Sequence, residues 1–435
     1  MWLKCFRFLI LAFLSACIAC CSHKPEKPAQ TAKPAARRVV QITNASNDTV
    51  LLPIDRAIKR FLRDQWLAGG ISVAVAYKGR LVYAKGFGYA DTTSRVAMQP
   101  FHTMRIASVS KLITAVAVMK LVEEGRIGLR QNVFGPDGIL NDSIYLTFKD
   151  PRMGNVTVYQ LLNHSGGWTP RYGDPMFMPH AIARQTGKPL PVSMKDIICF
   201  MQTKSLHFEP GTGSNYSNFG YGILGEVVAK AAGMPYEQYV QKYILSPFGI
   251  NDMYLGHSHQ QHRFPTETAY YEADTTQVAD YTNANIAATR AYGGNDIHTL
   301  GSAGGWIASS VDLVKIALAT DGFDNVPDCL TAASIDTMVQ HEEPFDPIGW
   351  RTTASDGSWF RTGTLSATTA MLARLPDSIC YAVISNSANH RGTALAAMLR
   401  NIMNDAVHRV AQWPDTDLLR DDSQWQEYKG KLGKE

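Results

Sequence analysis

Strand-forming runs stand near both ends of this chain, with few between them, and that order constrains the fold more than any other feature. Residues 71–77 and 80–85 are rich in apolar and β-branched side chains and are joined at Lys78-Gly79, a two-residue hairpin signal. Residues 358–365, 368–375 and 379–385 form the second set, with Pro376-Asp377 as a turn. Helical spacing marks residues 52–66, 157–163, 221–232, 236–243, 310–319 and 393–410. Residues 130–156 read as an irregular loop, and the polar stretch 257–300 shows no period. This order predicts one antiparallel β-sheet assembled from both ends of the chain and flanked by helices, with the middle folded as an inserted, mostly helical subdomain. The class is α/β in the α+β sense. With 45% hydrophobic residues over 435 positions, the chain has enough apolar surface for one large core.

The predicted folded domain spans residues 49–412. Residues 1–16 carry Lys4 and Arg7 before a short apolar run, which fits an export signal and is too short to cross a bilayer. The run ends in Leu14-Ser15-Ala16-Cys17, which resembles a bacterial lipobox. That resemblance implies lipidation of Cys17 and a membrane-anchored lipoprotein of the bacterial cell envelope, facing the periplasm or the exterior. A signal that is simply removed would read in a similar way, and Cys20 and Cys21 leave the cleavage point open. Residues 17–48, rich in Pro, Ala, Lys and Thr, predict a flexible tether, and residues 413–435 a polar tail. The domain holds only Cys199, Cys329 and Cys380, an odd, sparse set that argues against a disulfide framework or a Cys-rich metal site. A net charge of +4 is small for this length and gives no case for nucleic acid. No metal or cofactor is expected, and the expected state is a monomer.

Residues 104–124 carry the chemistry. From Ser108 onward the stretch reads as a helix, with Leu112, Ala115, Val116, Met119 and Val122 at apolar spacing and Gly125 closing it. Lys111 follows Ser108 at i+3, so the two share a face at roughly 5–6 Å between Cβ atoms. A serine hydroxyl is inert until a neighbouring base takes its proton, and a partly buried lysine can serve as that base. On its own, Ser-x-x-Lys is expected about once by chance in a chain this long, and a serine at a helix start is often only a cap.

A serine–lysine acylating site needs further groups: a second proton-transfer side chain, a polar group to orient the acyl part, and a second oxyanion donor beside a cation. Tyr216 and Asn218 share one Gly/Pro-rich loop and meet the first two needs. Arg361-Thr362-Gly363-Thr364 lies on a predicted strand and meets the rest, because Gly permits close approach and Arg grips a carboxylate with two bonds. With these motifs the chain resembles the serine β-lactamase and penicillin-binding superfamily over about residues 52–400. The resemblance is nearest to the class C β-lactamases, the D-alanyl-D-alanine carboxypeptidases of the same type and related esterases. It extends through Asn163-His164-Ser165-Gly166-Gly167, Pro247-Phe248-Gly249, Ala303-Gly304-Gly305-Trp306 and Ile348-Gly349-Trp350.

The resemblance implies a β-lactamase/DD-peptidase-like fold and an acyl-enzyme on Ser108, with Lys111 and Tyr216 moving the proton. It implies substrate contacts from Asn218, Arg361, Thr362 and Gly363, and an oxyanion hole from the backbone of Ser108 and Thr364. The implied substrate is a β-lactam, a D-Ala-D-Ala peptide of peptidoglycan type, or an ester. A non-catalytic penicillin-binding-like sensor or scaffold is the alternative. The family usually has Lys or His where Arg361 stands; Arg keeps the charge but cannot release a proton. Tyr281-Thr282-Asn283, Gln185-Thr186-Gly187 and His390-Arg391-Gly392 mimic parts of the motifs but lack their flanking patterns. His257, His259 and His262 form a loose cluster expected to be solvated rather than metal-binding.

Overall fold

The computed structural model describes residues 41–431 apart from Ala45. The export signal, Cys17 and most of the expected tether lie outside the described residues. From Val40 to Glu435 the chain is one compact unit.

The strand sets from the two chain ends do pair. The central sheet has seven antiparallel strands in the spatial order Thr352–Thr353, Trp359–Leu365, Thr368–Leu375, Ile379–Ser385, Gly70–Tyr77, Arg80–Asp91 and Val96–Ala97. The join between early and late sequence is Gly70–Tyr77 against Ile379–Ser385, in register at Val73 and Val383. Lys78 and Gly79 both adopt positive φ, 49° and 71°, which matches the twist a two-residue hairpin needs.

Strand alternation sends side chains to two cores. Val73, Val75, Tyr83 and Val383 face the Leu52–Asp64 and Ala394–His408 helices. Ala74, Ala76, Ala84 and Ala382 face the other way, and their small size lets the Ser310–Leu318 helix lie close against the sheet. Beyond it sits the helical subdomain, including Val158–Leu162, Met194–Gln202 and Asn218–Ala232. The Ser110–Glu123 helix runs through the middle, with buried residues on every side rather than along one stripe.

Two expectations need correction, and one unpatterned stretch gains a structure. Residues 413–431 are not a polar tail: Leu419, Trp425 and Tyr428 are buried in the main core, and Lys315 forms a 2.6 Å buried ion pair with Asp422. Charged residues between these anchors hid them. The end of the expected tether is also built in. The Asn44 and Ser46 side chains accept from the Gly86 and Ala84 backbone N–H groups, satisfying donors near the sheet edge. Residues 257–300 contain an exposed hairpin, Gln277–Asp280 with Asn283–Thr289, and the Ile297–Gly304 helix. With five of the seven residues in its second strand exposed, the hairpin has no apolar face to give a period.

Candidate active site

Ser108 sits in a 3-10 turn, Ala107–Val109, that feeds directly into the Ser110–Glu123 helix. Ala107, immediately before it, is buried with φ 47°, a left-handed conformation that costs a non-glycine residue about 1–3 kcal/mol. The strained turn holds Ser108 at the mouth of the helix, where the macrodipole favours negative charge. Beside it runs the Trp359–Leu365 strand. A side chain on Gly363 would place its Cβ 2.1 Å from the Ile106 carbonyl oxygen and 3.1 Å from the Ser108 nitrogen. Only glycine lets strand and turn touch, which brings the Thr364 backbone alongside Ser108.

The Lys111 amine is wholly buried and donates to three acceptors: Asn218 Oδ1 at 2.7 Å, Ser108 Oγ at 3.3 Å and the Ala303 carbonyl. The Tyr216 hydroxyl donates to Ser108 Oγ at 2.7 Å and accepts from Arg361 Nη2 at 3.2 Å. Ser217 caps the Asn218–Ala232 helix by accepting from Gly220 N–H, so the loop ends with Tyr216 on Ser108 and Asn218 on Lys111. The structure therefore brings together Ser108, Lys111, Tyr216, Asn218, Arg361 and the Thr362–Thr364 strand.

The charges explain why Tyr216 is unusual. Burial alone would raise its pKa, but the Lys111 ammonium and the Arg361 guanidinium stabilise the phenolate and bring it down to about 8. Burial lowers Lys111, with Tyr216 pulling upward and Arg361 downward, so the two groups share their proton as a coupled pair. The His164 ring lies 4.6 Å from the Tyr216 ring and accepts from Ser217 N–H through Nδ1. Burial, then Arg361, Lys111 and Arg351, drive its pKa well below the usual value, which keeps it a neutral packing partner.

Arg361 is not placed as a substrate grip. It is 1% exposed and donates to the Ser108 carbonyl at 2.8 Å, the Trp350 carbonyl at 3.2 Å and Tyr216. The guanidinium on the adjoining cleft belongs to Arg351, about half exposed and paired with Asp346. That cleft, about 520 Å³, is lined by Ser108, Tyr216, Asn218, Arg351, Thr362 and Thr364, with Phe177, Leu300 and Leu365 as apolar wall. Sequence reasoning missed Arg351 although it directly follows the Gly349-Trp350 motif. It also missed Asp174, whose carboxylate accepts from Asn218 Nδ2 at 2.7 Å while capping the Pro175–Phe177 turn. With its Nδ2 held there, Asn218 must turn Oδ1 to Lys111. Asp-Pro in a mixed segment gave only a turn signal.

The motif mimics lie elsewhere. Tyr281 packs on His259, Thr186 and Gly187 end the Pro179–Thr186 helix, and residues 390–392 form the turn before the Ala394–His408 helix. The His262 ring lies 6.0 and 6.1 Å from those of His257 and His259, and His259 pairs with Asp280 at 2.7 Å; no three groups among the described residues converge to hold a metal ion. Ser165 is a turn residue whose hydroxyl donates to Asn163 at 2.6 Å.

Known proteins resemble this chain in sequence and in fold. The chain is 22% identical to the putative penicillin-binding protein PbpX of Bacillus subtilis, over 85% of this chain and 80% of that one. It is 31% identical to penicillin-binding protein 4* of Bacillus subtilis over 183 residues, which are 42% of this chain and only 37% of that relative. The solved structure of D-amino acid amidase from Ochrobactrum anthropi superposes with a TM-score of 0.63 at 21% identity, over 83% of this chain and 97% of that one, a likeness of fold. Residues 54–402 match the family described as Beta-lactamase, and the chain belongs to that family.

Proposed function

We propose that this protein is a serine hydrolase that works through an acyl-enzyme on Ser108. The observation that carries the reading is the pair of contacts on one oxygen: Tyr216 Oη at 2.7 Å and Lys111 Nζ at 3.3 Å from Ser108 Oγ. Tyr216, as phenolate, takes the Ser108 proton while Oγ bonds to the acyl carbon. The carbonyl oxygen gains negative charge against the Ser108 and Thr364 N–H groups. As the intermediate collapses, the leaving nitrogen or oxygen receives the proton from Tyr216. A water then attacks the ester, gives its proton to Tyr216, and Ser108 Oγ recovers a proton as the acid departs. Lys111, coupled to Tyr216 through their shared proton, supports the phenolate from one side, and Arg361 fixes Tyr216 from the other.

Arg351, Thr362 and Thr364 around the same cleft support a reading of the substrate class. They suit a carboxylate near the scissile bond, as carried by a β-lactam or a D-Ala-D-Ala peptide, better than a neutral alkyl ester. The test is a turnover panel of penicillin, a D-Ala-D-Ala peptide and a p-nitrophenyl ester, with Ser108→Ala as the background. Hydrolysis above that background supports the reading. Equal rates with and without Ser108 would leave a penicillin-binding-like scaffold.

Anchoring through Cys17 to a bacterial envelope membrane belongs to the same proposal and rests on the Leu14–Cys17 sequence alone. Intact mass of the mature chain tests it: a chain that begins at Cys17 and carries lipid is expected, and a mature chain without added lipid mass would refute it.

A further inference from the structure

The Leu52–Asp64 helix buries Ile54, Ile58 and Phe61 and turns its opposite stripe to solvent. That stripe reads Leu52, Arg56, Lys59, Arg60 and Arg63 on successive turns, and Trp66 continues it beyond the helix end. The Lys59, Arg60 and Arg63 side chains are 66%, 78% and 73% exposed. Asp64 pairs with Arg60 and Arg63, and the buried Asp55 lies 3.9 Å from Lys59 while pairing more closely with Lys85 at 2.8 Å, so four cations stand against two carboxylates, one of them shared with Lys85.

A charged helix face is usually only solvated, and Trp66 sets this one apart. It is 92% exposed, far more than any other large apolar side chain among the described residues. It also holds φ 54°, a conformation disfavoured for a bulky side chain. The backbone is fixed there: Trp66 N–H donates to the Arg63 carbonyl, Leu67 N–H to the Leu62 carbonyl, and Asn389 to the Gln65 carbonyl. The fold thus keeps an indole in water just past the C-terminal end of the cationic helix, with Leu52, 38% exposed, at its other end.

Cations along a helix with apolar groups at each end match the boundary between lipid headgroups and acyl chains, where Trp is favoured. A nucleic acid or an acidic protein would use the charge but gives Leu52 and Trp66 no acyl layer to enter. The helix, 13 residues and about 20 Å long, is too short to cross a bilayer and long enough to lie on one. We propose that this stripe, with Trp66, rests on the headgroups of an anionic phospholipid bilayer and lays the domain against the membrane. The contact would add to an anchor at Cys17 and does not depend on it.

The test uses the Val40–Glu435 unit, which carries its own cores and lacks Cys17. It is sedimented with vesicles of phosphatidylcholine alone or mixed with phosphatidylglycerol, at low and at physiological salt. Binding is expected only to the mixed vesicles and should weaken with salt. Removing one cation should lower partitioning about fivefold, so the Arg56→Gln, Lys59→Gln, Arg60→Gln, Arg63→Gln variant should lose about 600-fold. Trp66→Ser should lose a further several-fold, with melting temperature and hydrolysis unchanged in both. Failure of the unaltered unit to bind mixed vesicles, or equal binding by the four-site variant, would overturn the proposal. Either outcome leaves the reading of Ser108 untouched.

Discussion

The floor and the rim of the cleft are held in different ways. On the floor, Lys111 and Arg361 are buried, and Ser108 stands between a strained turn and a strand of the central sheet. Each floor group is fixed by backbone or by another floor group. On the rim, Phe177 is 40% exposed at the end of a three-residue turn, and the Arg351 side chain is 47% exposed with Asp346 as partner. On the proposed mechanism, rigid elements carry the reacting groups while turns and half-exposed side chains would meet the variable part of a substrate. Changes on the floor should therefore hurt every substrate alike, and changes on the rim should sort substrates.

The largest expected effect is on the floor. Tyr216→Phe should lower kcat/KM by about 10²–10⁴ on lactam, peptide and ester together. A loss confined to one of them would erase the distinction. On the rim, Arg351→Ala should cost carboxylate-bearing substrates about 10–150-fold, the worth of a charge-assisted bond, and a neutral ester little. Equal losses would make Arg351 structural. Asp174 joins the two regions: it belongs to the rim segment but holds Asn218. Asp174→Ala removes the acceptor that orients Asn218 and should lower kcat about tenfold on all substrates with KM little changed. A change in KM alone would place Asp174 with the rim.

The smallest effect is a shift in pH dependence. With Tyr216 near 8 and active as phenolate, kcat/KM should fall as pH drops below about 8. Arg361→Gln removes a charge that lowers this pKa, so the acid limb should move to higher pH. Arg361→Lys keeps the charge and should hold the limb near its place. A limb that ignores both variants would detach Arg361 from Tyr216.

The same division decides what could be read from the sequence. Ser108, Lys111, Tyr216, Asn218 and the strand from Arg361 to Thr364 lie in short motifs with punctuating glycines and flanking elements, and all meet in the structure. Sheet pairing was legible because alternating runs at both ends had no other partner. Asp174 and Arg351 were not, because a capping aspartate and a half-exposed arginine have no period and act only through tertiary contacts. Arg361 was found, but its orientation was not: spacing along a strand does not show that its guanidinium turns inward to Ser108, Trp350 and Tyr216. The C-terminal segment was misread because Trp425 and Tyr428 are only two large anchors in a charged run.

The central claim is tested most directly by intact mass after mixing the protein with penicillin, followed by peptide mapping. The expected result is one added acyl group, located on Ser108 and absent from Ser108→Ala. An adduct on another residue, or one that survives Ser108→Ala, would contradict the account.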